Sequence, residues 1–236
     1  MRVGLMQPYF FPYIGYFQLL TAFDRFVVFD DAQFVKRGWV NRNRILVRSE
    51  AGWITMPVAA ASCSLPILQR KYLLGDRLAN RLLSRIAGAY RGGPQFKVTM
   101  SLVEEILTFS DQNVASFNVN LLCRIAAYLD IDTTIQRSSE MDKDNSLVGG
   151  ENRVLDICKR LGAKTYINPI GGRELYTRGA FAQQGVELKF LSCAAEPYSQ
   201  RASHFVPFLS IIDVLMFNDV AAVRRMLSQY WLEDGA

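Results

Sequence analysis

The chain has 236 residues, 50% of them hydrophobic and 21% charged, with 27 Lys and Arg against 22 Asp and Glu, a net charge of +5 and a pI near 9.1. This is the composition of an ordinary globular protein long enough to bury a sizeable core. No apolar run reaches membrane-spanning length, and no basic segment precedes an apolar one at the start, so no membrane span and a cytoplasmic location are expected.

In chain order, residues 2–6 are apolar and bounded by Pro8, which predicts a buried strand. Residues 13–23 place Ile14, Phe17, Leu20 and Thr21 at helical spacing. Residues 25–29 read as a second strand, closed by Asp30 and Asp31. Residues 45–47 and 53–58 read as paired strands joined by a turn at Glu50-Ala51-Gly52. Helices are expected over 73–90, 96–109 and 114–129, with Gly92-Gly93-Pro94 breaking the chain between the first two. A short strand at 133–136 leads into a polar loop, residues 138–150. A helix over 151–161 stops at Gly162, and a strand at 165–168 runs into Gly171-Gly172. A short helix at 179–184, a strand at 187–191 and helices at 210–217 and 220–231 complete the chain.

This alternation predicts a doubly wound, mainly parallel α/β sheet, in a single domain over 1–236 with a helical insertion at about 69–129. Such sheets bind ligands at the carboxyl ends of their strands, so the segments after each strand carry the functional expectation.

The first is QPYFFPYIGY. Pro8 and Pro12 bias the residues before them away from helix, and Gly15 near the helix start permits close approach of backbone or ligand. A helix start there offers free N–H groups to an anion. Gln7, a polar residue ending a buried strand, needs a partner. Gln7, Tyr13 and Tyr16 are candidate catalytic residues, against the alternative that the rings are core and Gly15 a packing glycine.

The second is DDAQFVKRGWVNRNR. Asp30 and Asp31 suit an amine, a sugar hydroxyl or a divalent metal, and are further catalytic candidates. From Lys36 to Arg48 there are five cations and no acid. Lys36, Arg37, Arg42 and Arg44, interleaved with Trp39, Asn41 and Asn43, suit a phosphate bearing a flat ring. The plain alternative is a solvated basic loop.

The third is NPIGGRELY, where Asn168, Gly171, Gly172, Arg173, Glu174 and Tyr176 read as a ligand loop or as a plain turn with a surface ion pair. Asp213, inside the apolar run SIIDVLM, is either a structural anchor or a functional acid, with Ser210 as the helix N-cap. His204 is the one histidine and has no evident partner. With cysteines at 63, 123, 158 and 193 and no C-x-x-C, the thiols read as reduced, and no metal site is expected. The sequence leaves the cofactor unknown.

Two resemblances follow from these motifs. Tyr13-Ile14-Gly15-Tyr16 is similar to the H-x-G-H signature of HUP-type nucleotidyltransferases, with tyrosine at both histidine positions. The set MQPYFFPYIGYFQLL, FDDAQFVKRGWVNRNRIL, LGAKTYINPIGGRELY, GVELKFL and FVPFLSIIDVLMFN resembles the WbqC-like protein family. The second implies a role in O-antigen or other surface-glycan biosynthesis. The function it suggests is acyl or aminoacyl transfer onto the amino group of a nucleotide-linked amino sugar, with aminoacyl-tRNA or an activated carboxylate as donor. The alternatives are a nucleotidyltransferase and a non-catalytic nucleotide-sugar-binding module.

Overall fold

The computed structural model of the chain describes residues 1–62, 64–142, 150–194 and 196–235. Cys63 and most of the polar loop expected at 138–150 lie outside the described residues.

Short, near-continuous apolar runs build the sheet. Strands β1 (Arg2–Met6), β2 (Arg25–Val28), β5 (Thr134–Arg137), β6 (Thr165–Pro169) and β7 (Glu187–Cys193) pair in parallel. Val3, Leu5, Val27, Tyr166 and Leu188 point to one face, where α5 (Gly150–Leu161) and α6 (Arg178–Gln183) cover them. Phe26, Val28, Ile167 and Leu191 point to the other. There they meet α1 (Ile14–Ala22), α7 (Ile211–Phe217) and α8 (Val220–Leu227). Strand side chains alternate faces, so near-continuous apolar runs require cover on both sides. The result is the expected mainly parallel, Rossmann-like doubly wound sheet.

With β8 (Tyr230–Asp234) at one edge, the strand order is β5-β2-β1-β6-β7-β8. The chain works outward from β1 to β5, then returns to the other side of β1 with β6. That reversal puts a crevice at the carboxyl ends of β1 and β6, the point where open α/β sheets bind ligands. Helices α2 (Asp76–Tyr90), α3 (Phe96–Leu107) and α4 (Val114–Tyr128) occupy the stretch expected as an insertion. Their apolar faces join the same core as α1 and α7. No helix among the described residues is long and apolar enough to cross a membrane.

Two expectations are corrected. The hairpin is β3 (Arg42–Val47) with β4 (Glu50–Thr55), and its turn is Arg48-Ser49 rather than 50–52. Both turn residues have positive φ, 53° and 66°, as a two-residue primed turn requires. Gly52 therefore sits within β4, opposite Ile45. The helix expected over 220–231 stops at Leu227, and Tyr230–Asp234 forms β8, antiparallel to β7. Gln18, fully buried in α1, donates to the carbonyls of Met226 (2.8 Å) and Gln229 (3.0 Å), which pins the chain where helix gives way to strand.

The segment between β1 and α1 is irregular, yet Pro8, Phe10, Phe11 and Pro12 are buried. Buried backbone carbonyls need donors. Here Tyr16 donates to Gln7 O (2.8 Å), Asn118 to Pro8 O (2.8 Å), Asn43 to Phe10 O (3.1 Å) and Ser210 to Phe11 O (2.8 Å). The Ile211 amide donates to Pro12 O at 2.8 Å. Asn118 also donates to Val40 O and accepts from the Tyr72 hydroxyl, so its amide group is fully used.

Replacing Asn118 with Ala orphans the Pro8 carbonyl and is expected to cost about 2 kcal/mol. The midpoint of urea unfolding falls while the slope is unchanged.

Candidate functional site

Beyond β1, the chain turns back across the sheet edge and forms one wall of a cavity of ≈ 310 Å³. Tyr9 and Tyr13 come from this crossing, Trp39 from the loop after β2, Asn43 and Arg44 from β3, and Phe208 from the segment before α7. A small void of ≈ 20 Å³ continues past Tyr13 and Phe208 to Cys193, at the carboxyl end of β7. Tyr13 and Phe208 meet edge to face, with ring centroids 6.0 Å apart, and separate the two spaces.

Gly15 explains how Tyr13 reaches this position. A Cβ at Gly15 would lie 2.3 Å from the Tyr13 ring and 2.5 Å from Cys193 Sγ. Glycine therefore lets the ring and the thiol fold against the first turn of α1. Burial, reinforced by Cys193, holds the Tyr13 hydroxyl well above its usual pKa, and burial raises Tyr9 as well. Both phenols are neutral donors at physiological pH. Tyr16 is fully buried, and its hydroxyl is spent on Gln7 O.

Arg44 is the cation of the cavity wall. Its guanidinium lies 5.7 Å from the Trp39 ring and touches Phe208 O only at 3.4 Å. Its buried Nε has no hydrogen-bond partner. Asn43, 3% exposed, is committed to Phe10 O and to the Arg44 amide and so fixes the strand beneath it. Arg42 lies 4.1 Å over the Trp53 ring and donates to the carbonyls of Arg37 and Gly38, holding that loop in place. Asn41 is bonded to Met56 O at 2.9 Å. Lys36 and Arg37 are exposed.

The other candidates are placed elsewhere. Asp30 is fully buried and accepts from Arg137 Nε (2.7 Å), Ser138 Oγ (3.0 Å), Ser139 N (3.0 Å) and Ser139 Oγ (2.7 Å). Asp31 pairs with Arg153 at 2.7 Å and accepts from Ser138. The two carboxylates thus clasp the ends of β2 and β5 and the start of α5. Asn168 is buried beneath Gly172, where an added Cβ would sit 2.1 Å from Asn168 Nδ2. Arg173 pairs with Glu233 of β8 at 2.7 Å, while Gly171 and Glu174 are exposed. Tyr176 packs edge to face on Tyr166 and Phe181. His204 is exposed and lies 3.2 Å from the Ser203 hydroxyl.

Of the residues named from sequence, Tyr13, Trp39, Asn43 and Arg44 share the cavity wall. Tyr9 and Phe208, which also line it, were not singled out. Tyr9 stood among many rings, and Phe208 gave no signal beyond its place before an apolar helix. Its φ of 56° is a left-handed value that the sequence does not announce.

The Phe208 wall is held by Asp213, which is the structural anchor. Asp213 is fully buried and accepts from Tyr90 (2.8 Å), Tyr198 and Gln200 (2.7 Å). Tyr90 in turn accepts from Leu46 N, and Gln200 bonds both backbone groups of Val206. Ser210 caps the helix through Ile212 N. Burial raises the Asp213 pKa, so the folded state binds its proton more tightly than the unfolded chain does. Its contribution is complete below the ordinary carboxylate value and is lost as pH rises through the raised one. The Tm advantage of the natural protein over Asp213→Asn should therefore shrink as pH rises above the ordinary carboxylate range.

The chain is 26% identical, over 92% of its own length and 93% of the relative's, to the uncharacterized protein Rv1507c of Mycobacterium tuberculosis. No solved structure matches it. The WbqC-like protein family model matches residues 7–225, from the gripped crossing into α8, and the chain belongs to that family.

Proposed function

We propose that this protein acts in the cytoplasm in surface-glycan biosynthesis, holding a nucleotide-linked amino sugar in the aromatic cavity while its amino group is acylated. The observation that carries this reading is Arg44. It presents a buried, unpartnered N–H among aromatic rings, at the sheet edge where such folds bind ligands. Leaving a buried cationic donor unpaired is costly. A phosphate oxygen would satisfy it, and Trp39, Tyr9 and Phe208 offer faces to a base or sugar ring. The volume is at the lower end of the range for small-ligand sites.

In the transfer, the sugar nitrogen bonds to the donor's acyl carbon, the bond from that carbon to its leaving group breaks, and the nitrogen's proton departs with the leaving group or to water. Tyr13 suits the role of donor to the acyl oxygen, because its hydroxyl is held protonated. Tyr16, being enclosed, lends no support to a nucleotidyltransferase mechanism. A second reading, a non-catalytic binding module, is favoured by the cavity wall, which among the described residues carries no carboxylate or imidazole to serve as a base.

Thermal-shift measurements with nucleotide-linked amino sugars test binding directly. Stabilisation is expected, with the apparent Kd weakened about 10- to 100-fold in Arg44→Ala. Incubation with acyl donors and charged tRNA, read by mass spectrometry of the sugar, separates the two readings. A product that falls in Tyr13→Phe through kcat rather than KM supports transfer. Binding without any product supports the module.

A further inference from the structure

Beside the cavity, and sharing Trp39 and Arg44 with its wall, the β3–β4 hairpin exposes a second constellation. Trp39 and Trp53 are 38% and 40% exposed, with ring centroids 5.6 Å apart. Arg42 covers Trp53 and Arg44 flanks Trp39, so cations and indoles alternate along one face. The loop carrying Lys36 and Arg37 is tied to this face by the two hydrogen bonds from Arg42. No acid occurs between residues 32 and 49, and Glu50, three residues before Trp53, projects from the other face of β4. Among the described residues, none of Lys36, Arg37, Arg42 and Arg44 has a carboxylate within ion-pairing distance.

Two exposed indoles are a poor surface to leave in water, and four uncompensated cations beside them repel one another. Both costs are relieved by one kind of ligand, a chain of phosphates carrying flat bases. We infer that the Trp39–Trp53 face binds single-stranded nucleic acid, its bases stacking on the exposed indole surface that Arg42 and Arg44 leave open and its phosphates meeting those cations. Duplexes are a poorer match, because their bases are already stacked. Trp39 belongs to both this face and the cavity wall, so a strand lying on the hairpin ends at the cavity mouth. Resting on the proposed function, this identifies the acyl donor as one carried on the single-stranded end of an RNA.

The test uses the full chain and a fluorescein-labelled single-stranded RNA of about 12 nucleotides. Binding is expected, with quenching of tryptophan emission and a log–log salt slope of about −2 to −3, from three or four phosphate contacts. Trp53→Ala should weaken binding about 5- to 100-fold and Trp53→Phe should restore part of it. Trp53 is absent from the cavity wall, so stabilisation by nucleotide sugars should be unchanged in both variants. Failure of the cavity reading therefore shows as lost sugar binding with RNA binding intact, and failure of this inference as the reverse. No RNA binding, equal binding of duplex RNA or heparin, or insensitivity to Trp53→Ala would overturn the inference. A single-stranded DNA of the same length reports whether the ribose hydroxyls contribute.

Discussion

The structure depends on keeping one irregular stretch of backbone dry. Residues 8 and 10–12 are enclosed without a helix or strand to pair their carbonyls, so partners must come from elsewhere. Asn43, Asn118 and Ser210 supply them from β3, α4 and the start of α7. Two prolines lower the demand by removing N–H groups. Phe11, at φ 41°, is held in an unfavourable conformation that only such a surround can maintain. Each donor is almost wholly buried and spent on this task. The helices inserted between the sheet's halves are thus as necessary to the N-terminal crossing as the strand it follows.

The cavity is a by-product of that grip. The crossing fixes Tyr9 and Tyr13, the hairpin brings Arg44 and Trp39, and the Asp213 network sets Phe208 opposite them. Asp30 and Arg173 belong to other knots at the same sheet edge, one joining β2 to β5 and one joining the turn after β6 to β8. Their charges are compensated locally, whereas that of Arg44 is not.

Much of the sheet was legible from sequence, because β1, β2, β6 and β7 are short apolar runs bounded by turns or capped helices. β8 was not. Tyr230, Trp231 and Leu232 continue the apolar spacing of α8, and only the pairing with β7 and the Gln18 bonds turn them into strand. The hairpin turn misled because Gly52 is the obvious breaker, while Arg48 and Ser49 take up positive φ against their usual preference. At the site, interleaved Arg and Trp pointed to residues that reach the cavity wall. Aspartates at a strand end signalled equally strongly, yet Asp30 is consumed by four hydrogen bonds. Sequence shows where a charge stands in the chain and not whether a partner neutralises it.

The grip on the crossing also bears on how the protein comes to be functional. Ser210 and Phe11 are 199 positions apart, and Asn118 and Pro8 are 110 apart. Contacts of such sequence separation are entropically expensive to close and tend to form late. The cavity therefore has no nascent counterpart during synthesis, because its first wall is set only after nearly the whole chain has emerged. Ligand affinity and global cooperativity are consequently two readings of one transition, and damage to the crossing would surface as lost protein before it surfaced as lost affinity.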